Sequence, residues 1–428
     1  METVDEKLAL HGGPRAVTWQ RDDPWPIIGE EEIQAVAELM RTGRISIGNG
    51  TGPVGEFEER FAAYTGAKYA LMHNNGTAAL HAGFYAVGVE PGDEVIVPSY
   101  TWHATAGAVV TANAVPVFCE SDPKTLNLDP EDVARRVTPR TKAIAVVHMW
   151  GNVADMDSVT EIARKHGLAV VEDCSHAHGA TWRGKHVGTM GDVGCFSLQG
   201  SKVAVAGEGG VLITGNPKYY DRALLLGSHG RIQKDALFEE DRQYPTGFGL
   251  KYRPHPLGAA IAVEQLKHLD EWNASRKANY EYLMDGLRDL PHIGVTETLP
   301  QAERGGYYGT RILYHREQFA DIPRETFIEA LRAEGVECDL ERYVLLHLTP
   351  FYRDRQRAYE SFCAAALSSE VPVVPYKRGD LPVTEDMYDR LVVLPVFTKP
   401  QFELLDQYIR AFRKIFIRVE ELKEGAAD

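Results

Sequence analysis

The chain has 428 residues, 44% of them apolar and 25% charged, which is the composition of a globular protein with a sizeable core in roughly two or three domains. Disordered and disulfide-stapled classes are excluded, and no apolar run approaches the roughly 20 residues of a membrane-spanning helix. The formal charge of −15, from 61 acidic and 46 basic residues, disfavours nucleic acid and anionic membranes as partners. The acidic start, Met1-Glu-Thr-Val-Asp-Glu-Lys7, is unlike a signal peptide, so a cytoplasmic protein is expected. Five scattered cysteines (Cys119, Cys174, Cys195, Cys338, Cys363) without a C-x-x-C pair point to reduced thiols and to no metal site.

In chain order, the first 60 residues carry the loop-forming stretches His11-Gly-Gly-Pro14 and Gly48-Asn-Gly-Thr-Gly-Pro53 and read as an arm with the first helices. From 61 to 270 the pattern is strand then helix, repeated. Seven short, nearly continuous apolar runs, at 68–73, 94–99, 115–119, 143–148, 168–172, 193–197 and 210–214, predict strands buried on both faces. Helical patterns fall at Thr77–Ala86, Thr105–Asn113 and Ser158–His166. The fold class is therefore α/β, a mostly parallel seven-stranded sheet covered by helices. Residues 271–428 mix amphipathic stretches (Lys277–Leu287, Arg324–Glu334, Pro400–Leu422) with strands at Arg311–Tyr314 and Val392–Pro395, a smaller α+β domain.

Several pieces lie just past predicted strand ends, where open α/β sheets bind ligands. Asn74-Asn-Gly-Thr-Ala-Ala-Leu80 starts a helix whose free amides and Thr77 hydroxyl suit a phosphate, or else form a plain N-cap. In Pro98-Ser-Tyr-Thr-Trp-His-Ala-Thr105, Trp102 offers a face for a planar ring, or is a core residue. Val170-Val-Glu-Asp-Cys-Ser-His-Ala-His-Gly179 brings carboxylates to the end of an apolar strand, where Asp173 needs a cationic partner or caps a helix. His176 and His178 lack a third ligand of metal-site spacing. Lys202 stands in a run of small and apolar residues that disfavours its ammonium form and leaves a nucleophilic amine. An amine, a carboxylate 29 residues before it, a stacking ring and a phosphate-binding helix start match pyridoxal 5′-phosphate (PLP), with the amine as Schiff-base former.

These motifs resemble the DegT/DnrJ/EryC1/StrS family of sugar and cyclitol aminotransferases, PLP-dependent enzymes of fold type I, from about Pro26 to the C-terminal region. The resemblance rests on Gly52–Ala62, Gly76–Leu80, Glu94–Ser99, Glu172–Gly179, Gly191–Ser197 and Lys202 with Gly207–Gly210. It implies that Lys202 forms the Schiff base and Asp173 pairs with the pyridine nitrogen. Trp102 then stacks on the ring, Gly76, Thr77, Ala78 and Ser197 hold the phosphate, and His176 lies near the phenolic oxygen. It further implies a homodimer with interfacial sites, a glutamate or glutamine donor, and a keto sugar or keto-cyclitol acceptor in aminosugar or aminocyclitol biosynthesis of the antibiotic type.

Lys251, in Gly249-Leu-Lys-Tyr-Arg-Pro-His-Pro-Leu-Gly-Ala-Ala260, replaces the family's phosphate-reaching Asn, a role a lysine can fill as a point charge. Pro254 and Pro256 also depart from the polar residues usual there. Ser46, His103, Gln199, His229, Tyr307 and Tyr308 are the candidate substrate-facing residues. A nucleotide-linked acceptor would require basic groups such as Arg231, Lys251 and Arg253 to reverse the field in the cleft. The family's 3-dehydratases carry His in place of the lysine, a lyase of this fold would lack the Gly52–Ala62 motif, and an intact Lys202/Asp173 pair argues against a non-catalytic protein.

Overall fold

A computed structural model describes residues 6–353 and 375–424. All seven expected strands form one sheet. They are β1 (Tyr69–His73), β2 (Glu94–Pro98), β3 (Val115–Cys119), β4 (Thr141–Val147), β5 (Ala169–Asp173), β8 (Val193–Ser197) and β9 (Gly210–Thr214), with the short strands β6 (Thr181–Trp182) and β7 (Lys185–His186) between them forming a hairpin outside the sheet. The sheet order is β1-β9-β8-β5-β4-β2-β3. Only β9 runs against its neighbours, pairing antiparallel with β1 and β8. The other strands share one direction, so their C-terminal ends reach the same edge.

Each run is continuously apolar because the pleat sends alternate side chains to opposite faces and both faces are covered. Ile96, Ile144 and Val170 join the core on one side, and Val95, Val97 and Val171 the core on the other. Four helices matter for the site: α1 (Glu30–Arg41), α2 (Pro53–Thr65), α3 (Gly76–Ala86) and α4 (His103–Thr111). The division expected at residue 60 falls inside α2, whose Val54, Phe57 and Phe61 are fully buried in the first core. The four described cysteines are free thiols, and Cys363 lies outside the described residues.

A second, antiparallel sheet is ordered β10 (Ile293–Val295), β12 (Thr310–Tyr314), β14 (Leu391–Leu394), β13 (Asp339–Leu340), while β11 (Ala302–Glu303) pairs with β6. Helices Leu269–Leu287, Arg324–Ala333 and Phe402–Ile417 supply its core with Phe327, Leu331 and Phe412. The segment read as an arm is docked here: Leu8 and Val17 are core residues. The amides of Ala9 and Ala16 donate to Glu334 at 2.8 and 3.0 Å. Glu334 in turn pairs with buried Lys414 at 3.0 Å. No described helix is long and apolar enough to cross a membrane.

Candidate active site

At the edge where the parallel strands end lies a cavity of about 400 Å³, lined among others by Gly76, Thr77, Trp102, Asp173, His176, Ser197, Gln199, Lys202, Tyr308 and Tyr343. Residues from five loops converge here because strands β1, β2, β4, β5 and β8 all stop at this edge.

The start of α3 forms one wall. The side chain of Asn75 caps the helix by accepting from the Ala78 amide at 2.8 Å. Ala78, expected to hold a phosphate, is therefore already engaged and does not line the cavity. The amides of Gly76 and Thr77, the first two of the helix, have no partner among the described residues and face an anion-favouring helix end. Glycine is required at position 76, where a Cβ would lie 2.8 Å from that of Ser197.

Asp173 ends β5 and is 5% exposed. It caps no helix. Its Oδ2 accepts from the Thr105 hydroxyl at 2.8 Å and its Oδ1 from the Ser175 amide at 3.1 Å. Neighbouring Glu172 points to the opposite face and is consumed there: it accepts from the amides of Gly188 at 2.7 Å, Met190 at 2.9 Å and Gly191 at 2.6 Å. His148 adds a fourth bond through Nε2 at 3.1 Å, and its Nδ1 accepts from the Ala154 amide at 3.2 Å. The buried cluster His148, Glu172 and Cys174 is thus a clasp on the 188–191 turn, with its histidine and carboxylate already satisfied.

Lys202 is 8% exposed. Burial holds its amine below the ordinary lysine value, against the opposing pull of Tyr308 and Asp173. Its Nζ lies 3.9 Å from the Tyr308 ring centroid. His176 stacks against both Trp150 (4.9 Å) and Tyr308 (4.5 Å), whose own rings lie 6.0 Å apart. Its Nε2 faces the Tyr343 hydroxyl at 3.2 Å. Burial, reinforced by the Lys202 charge, pushes His176 well below its ordinary value and His178 down to about 3. Trp102 keeps an open face, 46% exposed, 5.1 Å from the Tyr343 ring.

The structure separates the remaining expected residues from this cavity. Tyr307 adopts a left-handed φ of 39° and turns away to pack on Tyr280 at 5.4 Å, so only Tyr308 of the pair faces inward. Ser46 is exposed beyond the end of α1. His229 lines a separate small recess with Gly48 and Arg253. His103 is exposed and lies against Trp102 at 4.1 Å, outside the cavity lining. Lys251 is exposed and also outside. Arg231 is unavailable as a free cation: Glu58 pairs with it at 2.7 and 2.9 Å and Asp235 at 2.7 Å. Pro256 opens the helix Pro256–Lys267, a position where its missing N–H costs nothing. Sequence reasoning missed Tyr343 and Trp25, the latter donating its indole N–H to the Lys202 carbonyl at 2.9 Å.

A buried amine, a strand-end carboxylate, an open indole face and a helix start with free amides, set on this sheet, define a PLP-dependent enzyme of fold type I. The donor set fits the cofactor: the unpartnered Gly76 and Thr77 amides suit its phosphate, the open Trp102 face its ring and the buried Asp173 carboxylate its pyridine nitrogen. Residues 26–413 match the model of the DegT/DnrJ/EryC1/StrS aminotransferase family. The chain belongs to that family and is a PLP-dependent aminotransferase. It is 35% identical to the L-glutamine:scyllo-inosose aminotransferase of Streptomyces griseus, covering 98% of this chain and 100% of that one. It is 36% identical to the L-glutamine:2-deoxy-scyllo-inosose aminotransferase of Streptoalloteichus tenebrarius, covering 90% and 91%. Among solved structures, S. venezuelae DesV in complex with a ketimine intermediate superposes with a TM-score of 0.76 at 32% identity, covering 91% of this chain and 95% of that one. DesI in the presence of its TDP-sugar product gives 0.78 at 28% identity, covering 98% and 99%.

Proposed function

We propose that this aminotransferase moves the α-amino group of L-glutamine to the ketone of an uncharged keto-cyclitol of the inosose type. The observation that carries the acceptor class is the charge arrangement of the groove that opens beside the cavity and shares Ser201, Tyr308 and Tyr343 with it. Its arginines each face a carboxylate: Arg311 meets Glu341 at 2.8 Å, Arg332 and Arg342 meet Asp339 at 2.8 Å, and Arg21 meets Asp23 at 3.3 Å. Arg332 and Arg342 share the single Asp339, but Arg21 also meets Glu337 at 3.5 Å, so with Arg231 paired as well the groove's four arginines face four carboxylates and carry no net charge to offset a diphosphate. A neutral polyol needs no such offset, and the curated relatives named above act on inososes.

In this reading Gly76, Thr77 and Ser197 hold the cofactor phosphate, Trp102 supports its ring, Asp173 pairs with its pyridine nitrogen and His176 lies by its phenolic oxygen. PLP, when bound, supplies an electron sink for the carbanion formed at the donor α-carbon. The Lys202 amine, kept poorly hydrated and biased toward its neutral form, anchors the cofactor and, once free, carries the proton lost by that α-carbon. Thr105 orients the Asp173 carboxylate. Lys251 serves the phosphate of a second subunit in a cytoplasmic homodimer. The cofactor unit spans residues 61–270, extended at its start by the whole of α2, and the described residues after 270 form the smaller one.

The test is a transfer assay with glutamine labelled at its α-amino nitrogen, offered a keto-cyclitol or a nucleotide-linked keto sugar in parallel. Label is expected in the aminocyclitol. Transfer to the nucleotide sugar alone overturns the acceptor class, and release of the label as ammonia overturns amino transfer.

A further inference from the structure

The stretch ahead of α1 reaches Lys202 from behind. The Trp25 indole N–H donates to the Lys202 carbonyl at 2.9 Å, and the Lys202 amide donates to the Gln199 carbonyl at 2.8 Å. Both main-chain polar groups of this lysine are therefore tied. Trp25 is itself fixed, edge-on to Trp272 at 5.0 Å and with the guanidinium carbon of Arg276 4.1 Å from its ring centroid.

Arg276 is 3% exposed, and among the described residues no carboxylate forms an ion pair with it. Burial pushes it down to about 10, an expensive state for a cation that serves only packing. Its NH1 donates to the Gly306 carbonyl at 3.0 Å. Asn273, one turn earlier on the same helix face, accepts from the Gly306 amide at 2.9 Å. Gly306 has a φ of 73°, and a Cβ there would meet the His176 carbonyl oxygen at 2.3 Å, so only glycine lets this segment pass so close to His176. Two residues on, the Tyr308 ring covers the Lys202 Nζ at 3.9 Å and its hydroxyl lies 2.8 Å from the Ser201 hydroxyl. The contacts close a circuit from Trp25 to Lys202, to Tyr308, through Gly306 to Arg276, and back to Trp25.

We infer that Trp25 and Arg276 are positioning residues for amino transfer, forming an N-terminal clamp that fixes the Lys202 amine against the Tyr308 ring; the inference rests on the reading of Lys202 as the Schiff-base lysine. Tying the Lys202 main chain and holding a fixed ring over its Nζ restrict the side chain before substrate arrives. It also sets a charge balance. Burial favours the neutral amine, Tyr308 and Asp173 favour the ammonium, and His176 and His178 face it as neutral imidazoles. Loosening the Lys202 carbonyl admits water and tips that balance toward the ammonium.

The test uses Trp25→Phe, which keeps a ring for Trp272 and Arg276 but removes the N–H, and Arg276→Met as an independent second variant. In the protein freed of cofactor, competitive acylation of Lys202 across pH, read by mass spectrometry, gives the midpoint of its amine. In the holoenzyme, kcat and KM are measured separately. Both variants are expected to raise the midpoint by about one unit, a tenfold loss of free amine below it, and to lower kcat more than they change KM. Unchanged midpoints and kcat in both variants, with borohydride still trapping PLP on Lys202, overturn the clamp. Trapping on a different lysine in the unsubstituted protein overturns instead the reading on which the clamp rests.

Discussion

Replacing Glu172 by Gln tests whether the two adjacent strand-end carboxylates have separate jobs. Glu172 is wholly buried and accepts four hydrogen bonds, two on each oxygen. A glutamine amide keeps one oxygen. If that oxygen stays with Met190 and Gly191, the new NH2 meets the Gly188 amide donor head-on. His148 must also reverse its tautomer to accept, which turns its Nδ1 into a donor against the Ala154 amide. The opposite rotamer strands Met190 and Gly191 instead. Each buried donor left without an acceptor costs about 1–3 kcal/mol, so the substitution is expected to remove roughly 3–5 kcal/mol. That is a large part of the roughly 5–15 kcal/mol typical of a folded protein. Urea unfolding of the cofactor-free protein at neutral pH measures it, and a loss below about 1 kcal/mol would refute the clasp.

Asp173→Asn is expected to do the reverse. The Thr105 hydroxyl can turn to accept from the new amide, so stability should hold within about 1 kcal/mol, while turnover falls by roughly 10²- to 10⁴-fold with the loss of a buried charge partner; near-normal turnover would contradict the pairing. Lys202→Ala should abolish the visible absorption of the lysine–PLP Schiff base, and an unchanged spectrum would contradict the cofactor assignment. Burial pushes His73 to about 4 and His178 to about 3. Their folded values lie below the ordinary unfolded one, so the unfolded chain takes up protons first and stability is lost as pH falls through about 6.5 toward those values. The two together should cost roughly 2–3 kcal/mol between pH 7 and pH 5.5, read from urea midpoints of the cofactor-free protein. A flat profile would exclude neutral burial of these rings.

The strands were legible because two-sided burial leaves continuous apolar runs. The reversed direction of β9 was not, since Gly210-Val-Leu-Ile-Thr214 reads the same whichever way it is laid down. Asp173, Lys202, Trp102 and the α3 start were legible for a related reason: each breaks the surrounding pattern at a strand end. The phosphate role given to Ala78 failed on a local detail, the Asn75 cap. Choosing between Tyr307 and Tyr308 depended on a left-handed turn at Gly306 and Tyr307 that periodicity does not encode. Trp25 and Tyr343 reach the site across separations of 177 and 167 residues, to Lys202 and His176 respectively, and nothing local in the sequence marks such contacts.

The docking of residues 8–17 has a consequence for how the molecule is made. Their partners are Glu334, Lys414 and Glu421, the last accepting from the Leu8 amide at 3.0 Å. A ribosome delivers those partners 318 to 413 residues after the strip positions they bind. The strip therefore waits undocked through most of synthesis, and the path that leads on to Trp25 and the lysine is anchored only at the end. Cofactor capture is accordingly expected to follow translation rather than accompany it.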